Sequence, residues 1–572
     1  MAIKSYTLMA DFETTTDPAD CRVWASCAVD IDTLEVVHLG NSIDSFMDFL
    51  KGKNTKVLFH NLRFDGEFLL HWLLNNGYKF NLGMDDNGKR VALKENEFSC
   101  LITDDGLFYS IEVMFKRYPN RKYEKVVFQD SLKKLPFKVA TIAKAFQLKQ
   151  SKGEIDYTAP RPVGYEMTQE EKEYIITDCQ IVAEALKIQF EQGMTKMTNA
   201  SDAMNGYKNI IGKDTFLKWF PTLPIELDAD IRRAYKGGFV YLNPKYKNAR
   251  GLYGKQYDVN SLYPWAMYDC LLPYGYPMYF EGEPAHDPNY PLFIVHMKCC
   301  FDLKPGHVPT IQLKKNRRFV ETEYIETSRV KVGNHEENLP VEMWLTSVDY
   351  FLFLDHYDIY DETYINGFKF KGAHGMFKDY IDYWMHIKET TTGALRALAK
   401  LMLNSLYGRF AMSTSAKRKM PYLDEDNITR YEYSKEEERD PVYTPMGCFI
   451  TAYAREKTIR SAQANFDRFI YADTDSLKLT GYEEPEGLDV HPTRLGAWKD
   501  EGNFTDSMWI RAKTYMTTVD GKDKVTCAGM PDNVKELVNY DNFHPGSTFP
   551  GKLMPRRYPG GIILEPTTFT IK

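Results

Sequence analysis

The sequence lacks most markers of export, metal staples and membranes. It has nine cysteines, an odd number, and none is spaced as CxxC. Cys299 and Cys300 are direct neighbours and poorly placed to share one metal. This excludes a disulfide framework and a zinc ribbon, and fits a reducing compartment. No apolar run reaches the roughly 18 residues needed to span a bilayer. The opening stretch MAIKSYTLMADFETTT has no signal-peptide core, because Asp11 and Glu13 interrupt it. The expectation is a protein that stays in the cytoplasm that makes it. There is no internal repeat or low-complexity tract. Positive charge is not in excess either: 72 Lys and Arg stand against 79 Asp and Glu, for a net charge of −7. That argues against a simple nucleic-acid-coating protein. The total nevertheless hides basic clusters at Lys314, Lys315, Arg317 and Arg318, at Lys417, Arg418 and Lys419, and at Arg556 and Arg557. Each suits a phosphate-contacting patch or a solvated surface run.

What the chain does have is length, aromatics and paired acids. Its 572 residues are too many for one core, so several domains are expected. In YADTDS (471–476), a strand would place Asp473 and Asp475 on one face. Two carboxylates so placed repel each other and resist burial. The stretch is therefore either a turn, since Asp, Thr and Ser favour turns, or part of a divalent-metal site that needs carboxylates from elsewhere.

A second pair lies in YTLMADFE (6–13). Alternation puts Tyr6, Leu8, Ala10 and Phe12 on one face and Thr7, Met9, Asp11 and Glu13 on the other. In VLFHNLRFDGEFLL (57–70) a short strand leads into Asp65 at the start of a helix. Thr168 and Glu171 form a capping-box pattern that opens another helix, which Gly193 would end. On it Tyr174 and Asp178, four residues apart, share a face. Alone, they read as a packed aromatic and a surface charge. Together, Asp11, Glu13, Asp65 and Asp178 would hold two Mg²⁺ ions about 4 Å apart, with Tyr174 orienting a water. DxE, NxxxFD and YxxxD in this order are similar to the three motifs of the DEDDy 3′–5′ exonucleases, and that resemblance implies a ribonuclease-H-like fold.

Asp258, in YDVNSLYP (257–264), is the expected partner of Asp473 and Asp475, which requires a discontinuous central sheet. Between them, residues 390–410 read as a helix ended at Gly408. Lys400, Asn404 and Tyr407 line one face, with Arg396 adding to the stripe and Lys388 further upstream. This suits a triphosphate and a stacked base, against a plain solvated face.

YDVNSLYP, KLMLNSLYG and YADTDS resemble motifs A, B and C of family B DNA polymerases. Lys513 and Tyr515 resemble the KxY motif, and AYKGGF (234–239) the YxGG motif, with Tyr235, Gly237 and Gly238. Motif order and chain size resemble the protein-primed replicative polymerases of small tailed Bacillus phages, over nearly the whole chain. The resemblance implies an α+β multidomain fold, a ribonuclease-H-like exonuclease plus a right-hand polymerase with two terminal-protein-region insertions. The implied boundaries are exonuclease 1–198, palm 199–269 and 439–527, first insertion 270–375, fingers 376–414, second insertion 415–438 and thumb 528–572.

By resemblance, Asp258 and Asp475 carry two catalytic Mg²⁺ ions, helped by the Val259 carbonyl, with Asp473 the looser acid and Mn²⁺ a substitute. Tyr263 packs under the incoming sugar. Lys388 and Lys400 hold phosphates, and Asn404 and Tyr407 belong to the nucleotide pocket. Lys513 and Tyr515 contact primer or template. Thr14, His60, Asn61, Phe64, Ser131, Leu132, Phe137 and Tyr157 match DNA-gripping positions of the exonuclease. Lys152 matches its catalytic lysine. Glu154 stands, as a candidate metal ligand, where relatives can have Asp. Arg396 and Arg409 stand where lysine is possible. The implied partners are template and primer DNA, dNTPs, a terminal protein as primer and phage single- and double-strand DNA-binding proteins. The implied setting is a monomer in the cytoplasm of an infected bacterium. Three alternatives differ in their tests. A family B polymerase of a linear plasmid or other mobile element would keep the chemistry. A nuclease with a DNA-binding C-terminal part would degrade DNA without incorporating dNTPs. A non-catalytic single-strand binder would tolerate loss of every acid named.

Overall fold

A computed structural model describes residues 5–84, 91–118, 123–150, 153–312 and 324–572. Lys152 and the 314–318 basic cluster therefore lie outside the described residues. The N-terminal third is built on an eight-stranded mixed sheet, in the order Val36–Gly40, Val23–Asp30, Ser5–Thr14, Asn54–Phe59, Tyr123–Asp130, Phe108–Arg117, Glu97–Ile102 and Lys79–Phe80. The central pairs, Ser5–Thr14 with Asn54–Phe59 and Asn54–Phe59 with Tyr123–Asp130, are parallel. Parallel strands need crossovers, and helices then cover both faces. Leu8, Ala10 and Phe12 enter one core beneath the helices Ile43–Leu50 and Leu62–Asn75, while Met9 enters another beneath Gln169–Glu191. The alternation in YTLMADFE thus assigns each face as expected. Phe12 meets Phe46 and Phe59 edge-on, with ring centroids 5.0 and 4.9 Å apart. The region from 80 to 125, which carries no readable motif, supplies outer strands of this sheet.

A second, five-stranded antiparallel sheet joins segments far apart in the chain. Its order is Trp498–Phe504, Gly254–Val259, Ser476–Thr480, Phe469–Asp473 and Val240–Leu242. This is the discontinuous sheet that Asp258 and Asp475 required. The buried helix Thr444–Ala464 packs behind it, with Ala454, Ile459 and Ala462 in its core. Between motifs A and B stands a four-stranded sheet of Leu272–Glu281, Tyr357–Ala373, Leu292–Leu303 and Val341–Thr346. It has its own core around Val295, Met297, Phe301 and Leu345. The helices Lys378–Thr390 and Gly393–Ser405 follow, then a hairpin of Lys419–Leu423 and Thr429–Tyr433. The chain closes with a three-stranded sheet (Asp506–Arg511, Thr514–Val519, Lys522–Cys527) and a long hairpin of Thr548–Tyr558 and Gly561–Thr570.

Two local expectations differ. The motif B helix does not run to Gly408: it stops at Ser405, and a separate short helix, Tyr407–Phe410, contains Gly408. Burial of Leu406 and Phe410 against the 439–450 region decides this over glycine's weak stop signal. YADTDS is not one strand. It is a hairpin: Asp473 pairs with Ser476, and Thr474 and Asp475 form a two-residue turn with Thr474 in the left-handed region (φ 59). The turn reading is right about the backbone. Among the described residues, no helix is long and apolar enough to cross a membrane.

Candidate active sites

Both candidate pockets are made where a strand end meets a helix start or a turn. In the first, Asp11 and Glu13 lie on Ser5–Thr14, opposite Cys27 and Ala25 of the antiparallel neighbour. Asp65 sits in the first turn of Leu62–Asn75 and is buried. The strand-to-helix corner needs a left-handed residue, and Asn61 supplies it (φ 74). The Asp130 carboxylate accepts from the backbone N–H of Asn61 (3.1 Å), Leu62 (3.3 Å) and Leu132 (3.0 Å), holding the corner together. Sequence reading missed Asp130; an acid directly before Ser131 at a strand end is a weak signal for it. Thr168 and Glu171 form the full capping box, and the helix ends at Glu191, next to Gly193. Tyr174 and Asp178 are both buried, so neither is a surface group.

The charges in this pocket act on one another. Burial, then the charges of Asp11 and Glu13, hold the Asp65 carboxyl well above the usual carboxylate range. Its Oδ1 is buried without a hydrogen-bond partner among the described residues. Burial raises the Tyr174 hydroxyl, against a hydrogen bond with Tyr157, and Asp178, Glu13 and Asp11 raise it further. The two tyrosine oxygens are 2.7 Å apart. His60 bridges to Ser131 Oγ (3.0 Å at Nδ1) and to the Phe137 carbonyl (2.7 Å at Nε2). A carbonyl only accepts, so Nε2 carries a proton. Ser131 is fully buried. Its hydroxyl meets His60 Nδ1. Thr14, Phe64, Leu132 and Phe137 are half-buried and Asn61 is exposed. Glu154 is exposed, and its neighbour Gly153 faces Tyr174: a Cβ there would lie 3.4 Å from that ring.

In the second pocket, Asp258 is the next-to-last residue of Gly254–Val259 and pairs with Ser476, while the Val259 N–H donates to the Asp475 carbonyl (2.7 Å). Burial, then the Asp475 and Glu501 charges, push the Asp258 carboxyl up to about 7, against Lys478 and Lys499. Asp475 is raised as well, by burial first. Asp473 is engaged differently: Lys513 Nζ lies 3.0 and 2.8 Å from its two oxygens, and the Tyr471 hydroxyl donates to it at 3.2 Å. Tyr515 stacks on Trp509 (4.7 Å, 24°) behind Lys513. Tyr263 and Tyr407 stack at 4.0 Å and 17°. Lys388 donates to Ser261 Oγ (3.0 Å), and burial plus the nearby Lys400 and Arg396 lower its pKa. Lys400 and Asn404 are exposed. Among the described residues, no three His, Cys, Asp or Glu side chains are gathered closely enough to ligate one ion.

The turn that carries Asp475 has support that sequence reading missed. The Thr474 N–H donates to the Phe239 carbonyl (2.7 Å), and the Thr474 carbonyl accepts from Thr458 Oγ1 (2.7 Å). Arg455 holds the 236–237 backbone through both carbonyls (2.8 and 2.9 Å) and pairs bidentately with buried Asp349. Burial lowers the Lys236 amine to about 8, with Asp349 opposing. An arginine inside the apolar helix segment GCFITAYAR was the available signal. Tyr235 and Gly237 are half-buried in this same loop.

The family model described as "DNA polymerase type B, organellar and viral" matches residues 47–491. The chain belongs to the type B DNA polymerases. It is 45% identical to the DNA polymerase of Bacillus phage phi29 over 98% of both chains, and 34% identical to that of Streptococcus phage Cp-1 over 98% of both. The solved phi29 DNA polymerase complexed with primer-template DNA superimposes with a TM-score of 0.92 at 44% identity, covering 100% of each chain. The polymerase therefore has the α+β architecture of an exonuclease domain joined to palm, fingers and thumb. Like phi29-type enzymes it is a DNA-directed DNA polymerase with a 3′–5′ exonuclease, in a family known for protein-primed replication. Family membership implies dependence on divalent metal.

Gly238 offers a direct test of the turn's support. A Cβ there would lie 2.5 Å from Thr474 Oγ1 and 2.8 Å from its Cγ2. Gly238→Ala is expected to displace the Asp475 turn and slow DNA synthesis, on the order of 10²-fold for a shift near 1 Å. Adding Thr474→Gly should recover much of the loss. Full activity in the single variant, measured by primer extension, would show that the turn does not need this contact.

Proposed function

We propose that Asp258 and Asp475 form the nucleotidyl-transfer centre and that Asp11, Glu13, Asp65 and Asp178 form a separate proofreading centre. The observation that carries this reading is the pair of acid pockets, on two different sheets, each holding a carboxyl raised by burial and by neighbouring carboxylates. Such pockets are unfavourable alone and favourable around cations. Two divalent cations, Mg²⁺ or Mn²⁺, bound in each cradle would acidify the attacking oxygen and stabilise charge on phosphate and leaving group.

The side chains supply the rest. Lys388, Lys400 and Arg396 concentrate positive charge where a triphosphate would enter. The Tyr263–Tyr407 stack offers a flat wall for the incoming sugar and base, and Asn404 lies on the same side. Lys513 holds Asp473, which leaves Asp475 as the principal acid beside Asp258. Tyr515 and the loop of Tyr235, Gly237 and Gly238 lie against the primer end. In the proofreading pocket Tyr174, braced by Tyr157, orients the attacking water. Phe64 stacks an unpaired base without reading its identity, and Thr14, Asn61, His60, Leu132 and Phe137 flank it.

Solved phi29 complexes hold primer-template DNA and incoming nucleotides. We infer the same partners here, together with a terminal protein as primer and phage single- and double-strand DNA-binding proteins, in the cytoplasm of an infected bacterium. The 270–375 insertion would meet the priming protein, and the 415–438 insertion would close over DNA. Incubating the polymerase with candidate terminal protein, Mg²⁺ and labelled dATP is expected to give a covalent protein–dAMP adduct, with pyrophosphate released. Extension of DNA primers with no adduct on any candidate would overturn protein priming and leave the polymerase reading intact.

A further inference from the structure

Two β-hairpins from the polymerase half end on one carboxylate of the exonuclease half. Glu67 lies on Leu62–Asn75 and is 1% exposed. Arg557, near the tip of the C-terminal hairpin, donates to it from Nε (3.1 and 3.0 Å) and from Nη2 (2.7 Å). Tyr431, on the 419–433 hairpin, donates its hydroxyl to Oε2 at 3.0 Å. The Arg557 guanidinium also lies over the Tyr431 ring, 4.8 Å from its centre. One acid thus ties together three parts of the chain that are distant in sequence.

The surroundings are built for this contact. The base of the C-terminal hairpin packs in its own core through Phe549 and Phe569, whereas Ile562 and Ile563 near its tip belong to the exonuclease core. The tip sits flush: a Cβ on Gly560 would lie 1.9 Å from the Cys21 carbonyl oxygen, and one on Gly561 would lie 2.4 Å from the Phe68 ring. The 419–433 hairpin is fastened twice more, by His71 Nε2 to the Asn427 carbonyl (3.1 Å) and by Cys100 Sγ to the Lys419 carbonyl (3.6 Å). Residues two apart on a helix do not share a face. Asp65 therefore faces the acids while Glu67 faces the hairpins.

We propose that Glu67 is a positioning residue, the clasp that fixes both hairpins on the exonuclease domain and keeps the polymerase on its DNA between successive additions. This rests on the polymerase reading above. A hairpin held at both ends encloses what lies beneath it, and release of one end opens a way out. A neutral amide cannot replace the bidentate, charge-assisted pair, and it leaves Arg557 without its counter-ion.

The test compares wild type, Glu67→Gln, Arg557→Gln and the exchanged pair Glu67→Arg with Arg557→Glu. Product length from one binding event is measured on primed single-stranded circular DNA with excess unlabelled primer-template as trap. Single-turnover addition of one dNTP is measured on preformed complexes. Each single variant is expected to shorten product length about tenfold or more, as loss of a buried charge partner implies, and more steeply as salt rises. Single-nucleotide addition and degradation of a single-stranded oligonucleotide should stay within about twofold, since chemistry and fold are intact. The exchanged pair should recover part of the length. Unchanged product length in both single variants would overturn the clasp, as would equal loss of length and addition rate. A wild type that incorporates no dNTP would instead refute the polymerase reading.

Discussion

Asp475→Asn is expected to lower primer extension by about 10³-fold or more while leaving 3′–5′ degradation in place, because the pocket loses the charge that balances two cations. Asparagine keeps the size and most of the hydrogen-bonding shape, so the turn from Asp473 to Ser476 should persist. Thr474 remains anchored to Phe239 and Thr458. What disappears is one of two half-buried carboxylates whose pKa values are raised, Asp258 by burial and Asp475, and Asp475 by burial and Asp473. With a raised pKa the ionised form opposes folding at neutral pH, so a neutral substitute removes a penalty. The metal-free variant should melt no lower than wild type. Extension at the wild-type rate would sink the metal assignment. A markedly lower melting temperature would instead point to damaged packing. Asp473→Asn should be milder, because its oxygens already pair with Lys513.

Asp11→Ala combined with Asp65→Ala is expected to abolish 3′–5′ degradation, again by about 10³-fold or more, and to leave polymerisation near wild type. The two pockets belong to different sheets. Asp65 is buried, is raised by burial and by Asp11 and Glu13, and has an oxygen with no partner among the described residues. Removing it therefore relieves desolvation and repulsion, against the loss of a few side-chain atoms. The readouts are degradation of a labelled single-stranded oligonucleotide and extension of a matched primer. On a mismatched primer the variant should extend without first trimming. Collapse of both activities together would indicate a folding defect and leave the separation of the sites unsupported.

Period and spacing alone determined the acids and the elements that carry them. Asp11 and Glu13 follow from a two-residue repeat, Asp65 from a strand running into a helix, and Tyr174 with Asp178 from a capped helix. These are local patterns, and local patterns survive in a linear string. Motif order then sufficed for the family and for the discontinuous sheet. Tertiary structure alone decided the rest. YADTDS became a hairpin because the Phe239 carbonyl anchors the Thr474 N–H and the Val259 N–H holds the Asp475 carbonyl, a constraint imposed from more than two hundred residues away. The helix after Lys400 breaks at Leu406 because burial outweighs the weak preference of Gly408. Asp130, the Arg455–Asp349 pair and the Glu67–Arg557–Tyr431 clasp join residues with no periodic relation, and their energy depends on mutual burial. A sequence lists such charges as ordinary surface groups, and only the fold brings each one to its partner.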